Sequence, residues 1–161
     1  VLVDDFSYQC IPSGLGRAWD EPDTVVKIEQ FDDRIIIQYE MFDLVRTVYL
    51  NQNGHPVELI SSTVNIHGEP MPTMGHSIGW YEGSTLVIDT IGYQAGVIAQ
   101  RPGLPNSNQL HTVERLTLSE SGDAFEITMI FEDPLYFTDQ LIEERSFVAS
   151  DQMPRGYNCT H

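Results

Sequence analysis

Apolar and polar residues alternate with a period of two over most of the chain between residues 25 and 148, the pattern of strands with one buried face. Runs rich in Val, Ile, Thr, Tyr and Phe predict nine strands, over 25–30, 34–41, 45–50, 57–63, 76–81, 85–91, 111–118, 124–132 and 141–148. Turn residues stand where hairpins need them, at Asp32-Asp33, Asn53-Gly54, Glu82-Gly83-Ser84 and Ser121-Gly122-Asp123. The longest irregular stretch is expected over 90–110, with a second over 68–75, and a short helix only near 12–20. No internal repeat interrupts this pattern, so one domain spanning 1–161 is expected. An all-β chain of this kind closes into an up-and-down barrel or splits into a two-sheet sandwich, and successive tight hairpins predict a single antiparallel barrel of about eight to nine strands.

Residues two apart on a strand share a face. In 124–132 the residues Phe125, Ile127, Met129 and Phe131 make one apolar face and leave Glu126, Thr128 and Glu132 on the other. Three strands break this rule. Arg46 shares a face with Val48 and Leu50, His76 with Ile78 and Trp80, and Glu114 with Leu116 and Leu118. A desolvated charge costs several kcal/mol unless paired, so these groups are expected to meet one another inside, joined by Tyr39 from the face of Ile35, Ile37 and Met41.

Composition narrows the partners. The 161 residues carry 8 Lys+Arg against 24 Asp+Glu, a formal charge of −16. Such an excess repels phosphate backbones and anionic lipid surfaces, which removes nucleic acid and membrane as default partners. No apolar run is long enough to span a bilayer. The chain opens at Val1 without a basic start or a long apolar stretch, so an upstream segment is expected to have preceded it. Of the two cysteines, Cys10 and Cys159, an exported protein would make a terminus-to-terminus disulfide and a cytosolic one two idle thiols.

An imidazole with a carboxylate partner in an apolar cavity is the smallest unit that shuttles a proton near neutral pH. In that role His76 moves the proton, Glu114 orients it or acts as a second acid, and Arg46 holds a ligand anion, with Tyr39 and Trp80 as flat walls. His111, at a strand start one face away from Glu114, and Asp89, on the face of Val87 and Ile91, are further substrate-binding candidates. A metal set drawn from His55, His67, His76 and His111 lacks the close spacing of a structural zinc motif, so no metal is expected. Ser77 directly follows His76 and points to the opposite face, which is poor geometry for a Ser–His nucleophile. No glycine loop cradles phosphate, so no nucleotide cofactor is expected.

These same residues resemble a family of uncharacterised exported bacterial proteins carrying MGHSxGxWEGxTLVVDT, then HSxxLHxxERF, then DPxxYT. The matches are Met74-Gly75-His76-Ser77, Gly79, Glu82-Gly83, Thr85-Leu86-Val87, Asp89-Thr90, Ser107, Leu110-His111, Glu114-Arg115, Asp133-Pro134, Tyr136 and Thr138. Cys10, Pro12, Gly14, Arg17, Arg46 and Cys159 also fit, whereas Trp80-Tyr81, Asn106 and Asn108 depart from the pattern. The resemblance implies export, to the periplasm or beyond, and a lipocalin-like or calycin-like barrel. It carries His76, His111, Glu114, Arg46 and Asp89 onto matching positions without implying a reaction.

The sequence thus leads to an exported barrel, monomer or homodimer, acting on a small, partly apolar organic molecule by acid–base chemistry of the isomerase, lyase, hydratase or cyclase type. The alternative is a non-catalytic barrel that binds a small hydrophobic ligand. The two are separable by geometry: a carrier's interior polar groups satisfy one another and leave none to meet a ligand.

Overall fold

The structure, a computed structural model, describes residues 10–20, 24–99 and 103–159. Among the described residues the protein is mostly β, with 46% of them in strands and one α-helix. The helix α1 (Leu15–Asp20) is followed by β1 (Val26–Gln30), β2 (Arg34–Tyr39), β3 (Leu44–Leu50), β4 (Thr63–Val64), β5 (His76–Glu82), β6 (Thr85–Ile91), β7 (Gly96–Ala99), β8 (Leu104–Asn106), β9 (His111–Leu118), β10 (Ala124–Glu132) and β11 (Leu141–Val148). Four of the expected strands, 85–91, 111–118, 124–132 and 141–148, have the bounds that alternation assigned them.

One strongly curled sheet runs in the order β1-β2-β3-β5-β6-β9-β10-β11, with the two-residue β4 beside β3. It is a half-barrel, which corrects the expectation of a closed one: β1 and β11 are its two ends and do not pair. Nor is it a simple meander. β3 and β5 are parallel, with Val48 opposite Ser77 and Leu50 opposite Gly79, and a parallel neighbour requires a long crossover. Residues 51–75 supply it, and most of the strand expected over 57–63 is instead irregular chain within this crossover. The irregular 90–110 stretch folds partly into the small hairpin β7-β8, part of which lies outside the described residues.

The concave side holds the core. Ile35, Ile37, Tyr39, Leu44, Val48, Ile88, Ile127, Met129 and Phe131 all point into it and are essentially inaccessible to water. A six-residue helix has no stability of its own, and α1 is held here by what it buries: Leu15, Ala18 and Trp19. The Trp19 ring packs edge-on against Tyr39, Phe125 and Phe147, with centroids 5.1, 6.2 and 5.5 Å away. Where β5 begins, Gly75 has φ +66, and a Cβ would sit 2.8 Å from the Ile91 carbonyl oxygen. Only glycine lets the chain enter the sheet so close to β6.

After β11 the chain crosses the open side of the half-barrel. The Tyr157 and Asn158 amides donate to the Asp43 carboxylate at 2.9 and 3.1 Å. Cys159 then forms a disulfide with Cys10, Cα to Cα 5.7 Å across 149 residues of sequence. Closing so long a loop removes much unfolded-state entropy, about 5 kcal/mol on the chain-entropy account. Reduction, or Cys10→Ser with Cys159→Ser, is therefore expected to lower Tm by about 10 °C or more in differential scanning calorimetry. An unchanged Tm would contradict a stabilising role for this bond.

Candidate functional site

The polar residues singled out by alternation form two sites on opposite faces of the sheet. Inside, Arg46 of β3 and Glu114 of β9 are both fully buried. Arg46 Nη1 donates to Glu114 Oε1 at 2.9 Å and Nη2 to Oε2 at 2.5 Å, a bidentate pair. The remaining donors are also engaged: Nε to Ser77 Oγ at 2.9 Å, Nη1 to Tyr39 Oη at 3.2 Å and Nη2 to Thr90 Oγ1 at 2.9 Å. Glu114 Oε1 additionally accepts the Trp19 indole N–H at 2.6 Å. A guanidinium has five N–H donors, and every one has a partner. Burial is the largest single effect on Arg46 and would lower its pKa, but the charge and hydrogen bond of Glu114 together with the neighbouring Tyr39 and Tyr93 outweigh it and hold the guanidinium protonated. Burial pushes the Tyr39 hydroxyl well above its ordinary range.

His76 is absent from this network, which corrects the expectation that the three ionisable groups meet inside. Ser77 takes the inward place on β5, so His76 points to the outer face. There the crossover brings in a residue that the strand pattern does not place, His55. His76 Nδ1 lies 2.9 Å from His55 Nδ1, and His55 Nε2 lies 2.7 Å from Asp89 Oδ1. Asp89 Oδ2 in turn lies 2.7 Å from His111 Nε2, and His111 Nδ1 lies 3.2 Å from Glu132 Oε2. A continuous chain thus runs His76-His55-Asp89-His111-Glu132 across β5, β6, β9 and β10. The Tyr49 ring stacks on His76 with centroids 5.5 Å apart.

Charge sorts the members of this chain. Burial raises the Asp89 carboxyl, but hydrogen bonds from His111 and His55 outweigh it and hold the group below the usual carboxylate range. Hydrogen bonding to Asp89 lifts His111 above an ordinary histidine against the opposing effect of burial, with Glu132 adding to the lift. Burial and the neighbouring His55 lower His76. With Asp89 ionised, both flanking imidazoles present Nε2–H to it. A neutral His55 then carries its lone pair on Nδ1, where it accepts Nδ1–H from His76.

The remaining expected residues separate. Trp80 is on the outer face of β5, 41% exposed, with its indole donating to Glu82 at 3.2 Å, so it does not share a pocket wall with Tyr39. His67 is in an exposed turn, where its amide donates to Asn65 Oδ1 at 2.9 Å. Among the described residues no group of three or more His, Cys, Asp or Glu is arranged to hold a metal ion. The His55–His76 geometry explains this locally. Their centroids are 5.2 Å apart and their nitrogens 2.9 Å, a difference of about one imidazole diameter, so the lone pairs meet head-on and share a proton instead of converging on a third point. No helix among the described residues is long and apolar enough to cross a membrane.

A further cavity lies elsewhere again. A cleft of about 1170 Å³ opens where β1 and β11 fail to meet, lined by Val26 and Ile28 from β1, Ile35, Leu86, Leu116, Leu118, Phe125, Phe147 and Val148 from the sheet, and Met153 from the crossing tail. Phe125 and Phe147 stack with centroids 4.9 Å apart at its wall. Neither Arg46, Glu114 nor any member of the histidine chain lines it. In comparisons with known proteins, no family model, no curated protein and no solved structure matches this chain.

Two outcomes follow. Arg46→Met or Glu114→Gln strands its partner without water, at a cost of about 3–5 kcal/mol in urea unfolding, whereas Arg46→Met with Glu114→Leu recovers most of it. Equal and additive losses would contradict a closed pair. In an NMR titration His111 is expected to titrate above, and His76 below, an ordinary histidine. Because the folded pKa of His111 is the higher one, the stability it contributes is complete below the ordinary value and fades as pH rises through the folded value. His111→Asn should therefore lose this alkaline decline in urea unfolding, and an unchanged decline would contradict the assignment.

Proposed function

We propose that the protein binds a small, elongated apolar molecule in the cleft between β1 and β11, as a carrier or sensor. One observation carries this reading: Ile28, Tyr81, Leu118, Val148 and Met153, all large and all exposed, converge on that single cleft. Scattered surface apolar residues need no explanation, but a concave cluster of them around a cavity of ligand size does. The aromatic pair Phe125–Phe147, backed by Trp19, gives the cleft a rigid wall. At the rim, Arg155 has no ion-pair partner among the described residues and Lys27 is held by Glu29 at 3.0 Å. Arg155 is thus placed to meet an anionic head group in a chain of otherwise negative surface.

The acid–base reading of the interior is weaker on the same geometry. A catalytic Arg46 or Glu114 needs a vacant hydrogen-bonding position, and the partners already named occupy the guanidinium completely. We further propose that the protein works outside the cytosol, in the periplasm or beyond. The disulfide between Cys10 and Cys159 supports this, since such bonds persist in oxidising compartments.

The test uses 1-anilinonaphthalene-8-sulfonate, an apolar anion, followed by displacement with medium-chain fatty acids. A single saturable site is expected, weakened about tenfold or more by Ile28→Trp or Leu118→Trp, which fill the cleft from exposed positions, and less strongly by Arg155→Ala. His76→Gln should leave it unchanged. Binding that ignores both tryptophan variants would overturn the proposal.

A further inference from the structure

We propose that the outer-face histidine chain orients His76 and makes its Nε2 a general base toward neutral or cationic small molecules, a site separate from the cleft. The argument begins with hydrogen-bond bookkeeping. Asp89 fixes His55 by its Nε2–H, His55 fixes His76 by accepting Nδ1–H, and the lone pair of His76 is thereby assigned to Nε2. That nitrogen has no partner among the described residues and is not among the buried unsatisfied atoms, so it keeps some contact with solvent although His76 as a whole is 9% exposed. An imidazole whose far nitrogen is held by a carboxylate-anchored acceptor is the arrangement general-base catalysis requires.

Every neighbour of His76 bears on the choice of substrate. Tyr49 from β3 stacks on the ring, His55 from the crossover meets its Nδ1, and Asp89, His111 and Glu132 follow along β6, β9 and β10. The chain beyond His76 holds two carboxylates, and the whole protein carries a formal charge of −16, so anionic substrates are repelled. The lowered pKa of His76 leaves it unprotonated, hence competent as a base, at neutral pH.

The step balances without a co-reactant. Nε2 takes a proton from water as the water oxygen bonds to an acyl carbon. The Nδ1–H stays on His76, still donated to His55 Nδ1, and the Asp89 carboxylate on the far side of His55 stabilises the imidazolium formed at His76. Collapse of the adduct breaks the bond to the leaving oxygen, which takes the proton back from Nε2, so ester and water give acid and alcohol.

Two measurements on the full disulfide-bonded chain decide it. In ¹⁵N NMR at pH 7 to 8, His76 is expected in the Nδ1–H tautomer, the minor form of a free histidine side chain. With p-nitrophenyl acetate as probe, hydrolysis is expected to fall at least about tenfold in His76→Gln, while His67→Gln, changed in an exposed turn, behaves as wild type. The rate should rise with pH through a midpoint below about 6.5, the ordinary histidine value. Asp89→Asn, which tests a positioning residue, should lower the rate and release the tautomer preference. The Nε2–H tautomer in the wild-type protein overturns the proposal without recourse to any variant, as does hydrolysis that is indifferent to His76→Gln. Retained dye binding in the cleft alongside either result keeps this outcome distinct from that of the cleft proposal.

Discussion

One buried ion pair constrains how the segments of this fold are placed against one another. Arg46 and Glu114 come from strands separated in the sheet by β5 and β6, and the pair is completed by Ser77, Thr90, Tyr39 and Trp19. Six segments of chain must therefore be correctly placed before either charge is compensated. Several kcal/mol of desolvation cost punishes any arrangement that leaves one group out. The curl of the sheet follows from the same requirement, because a flat sheet would keep a guanidinium on β3 from reaching a carboxylate on β9 in bidentate contact.

That interaction also divides the molecule functionally. With its interior polar groups spent on each other, the concave side is left with an apolar opening where the barrel does not close, and the convex side with a hydrogen-bonded row of imidazoles and carboxylates. The parallel pairing of β3 with β5 links the two. It sends residues 51–75 across the sheet, and this crossover delivers His55 to a position between His76 and Asp89. The crossing tail and its disulfide play a comparable part at the opening, where Met153 joins the wall of the cleft.

Alternation along the chain was sufficient for strands such as Thr85–Ile91 and Ala124–Glu132, because their one buried face is a local property. It also paired Arg46 with Glu114 and Tyr39 correctly, since each shares its strand face with core residues. For His76 the same rule failed for a physical reason: both faces of β5 are covered. Ile78 on the outer face is only 7% exposed, so an apolar face no longer means an inward one. Relative faces are legible within a strand, but which face is concave depends on neighbours far away in sequence. The 57–63 stretch shows a similar limit. Val57 and Leu59 alternate like strand residues yet are exposed in the crossover, because β3 takes its neighbour from β5. Barrel closure was illegible too, since it depends on whether the first and last strands meet.

The central claim is that the interior pair is dry, fully satisfied and closed to ligands, and side-chain NMR of arginine tests it most directly. The Arg46 Nε–H and Nη–H₂ protons are expected as separate, sharp resonances that exchange with water only on global unfolding, in contrast to those of exposed Arg34. Rapid exchange of the Arg46 guanidinium under native conditions would contradict the account and reopen the interior as the place where chemistry occurs.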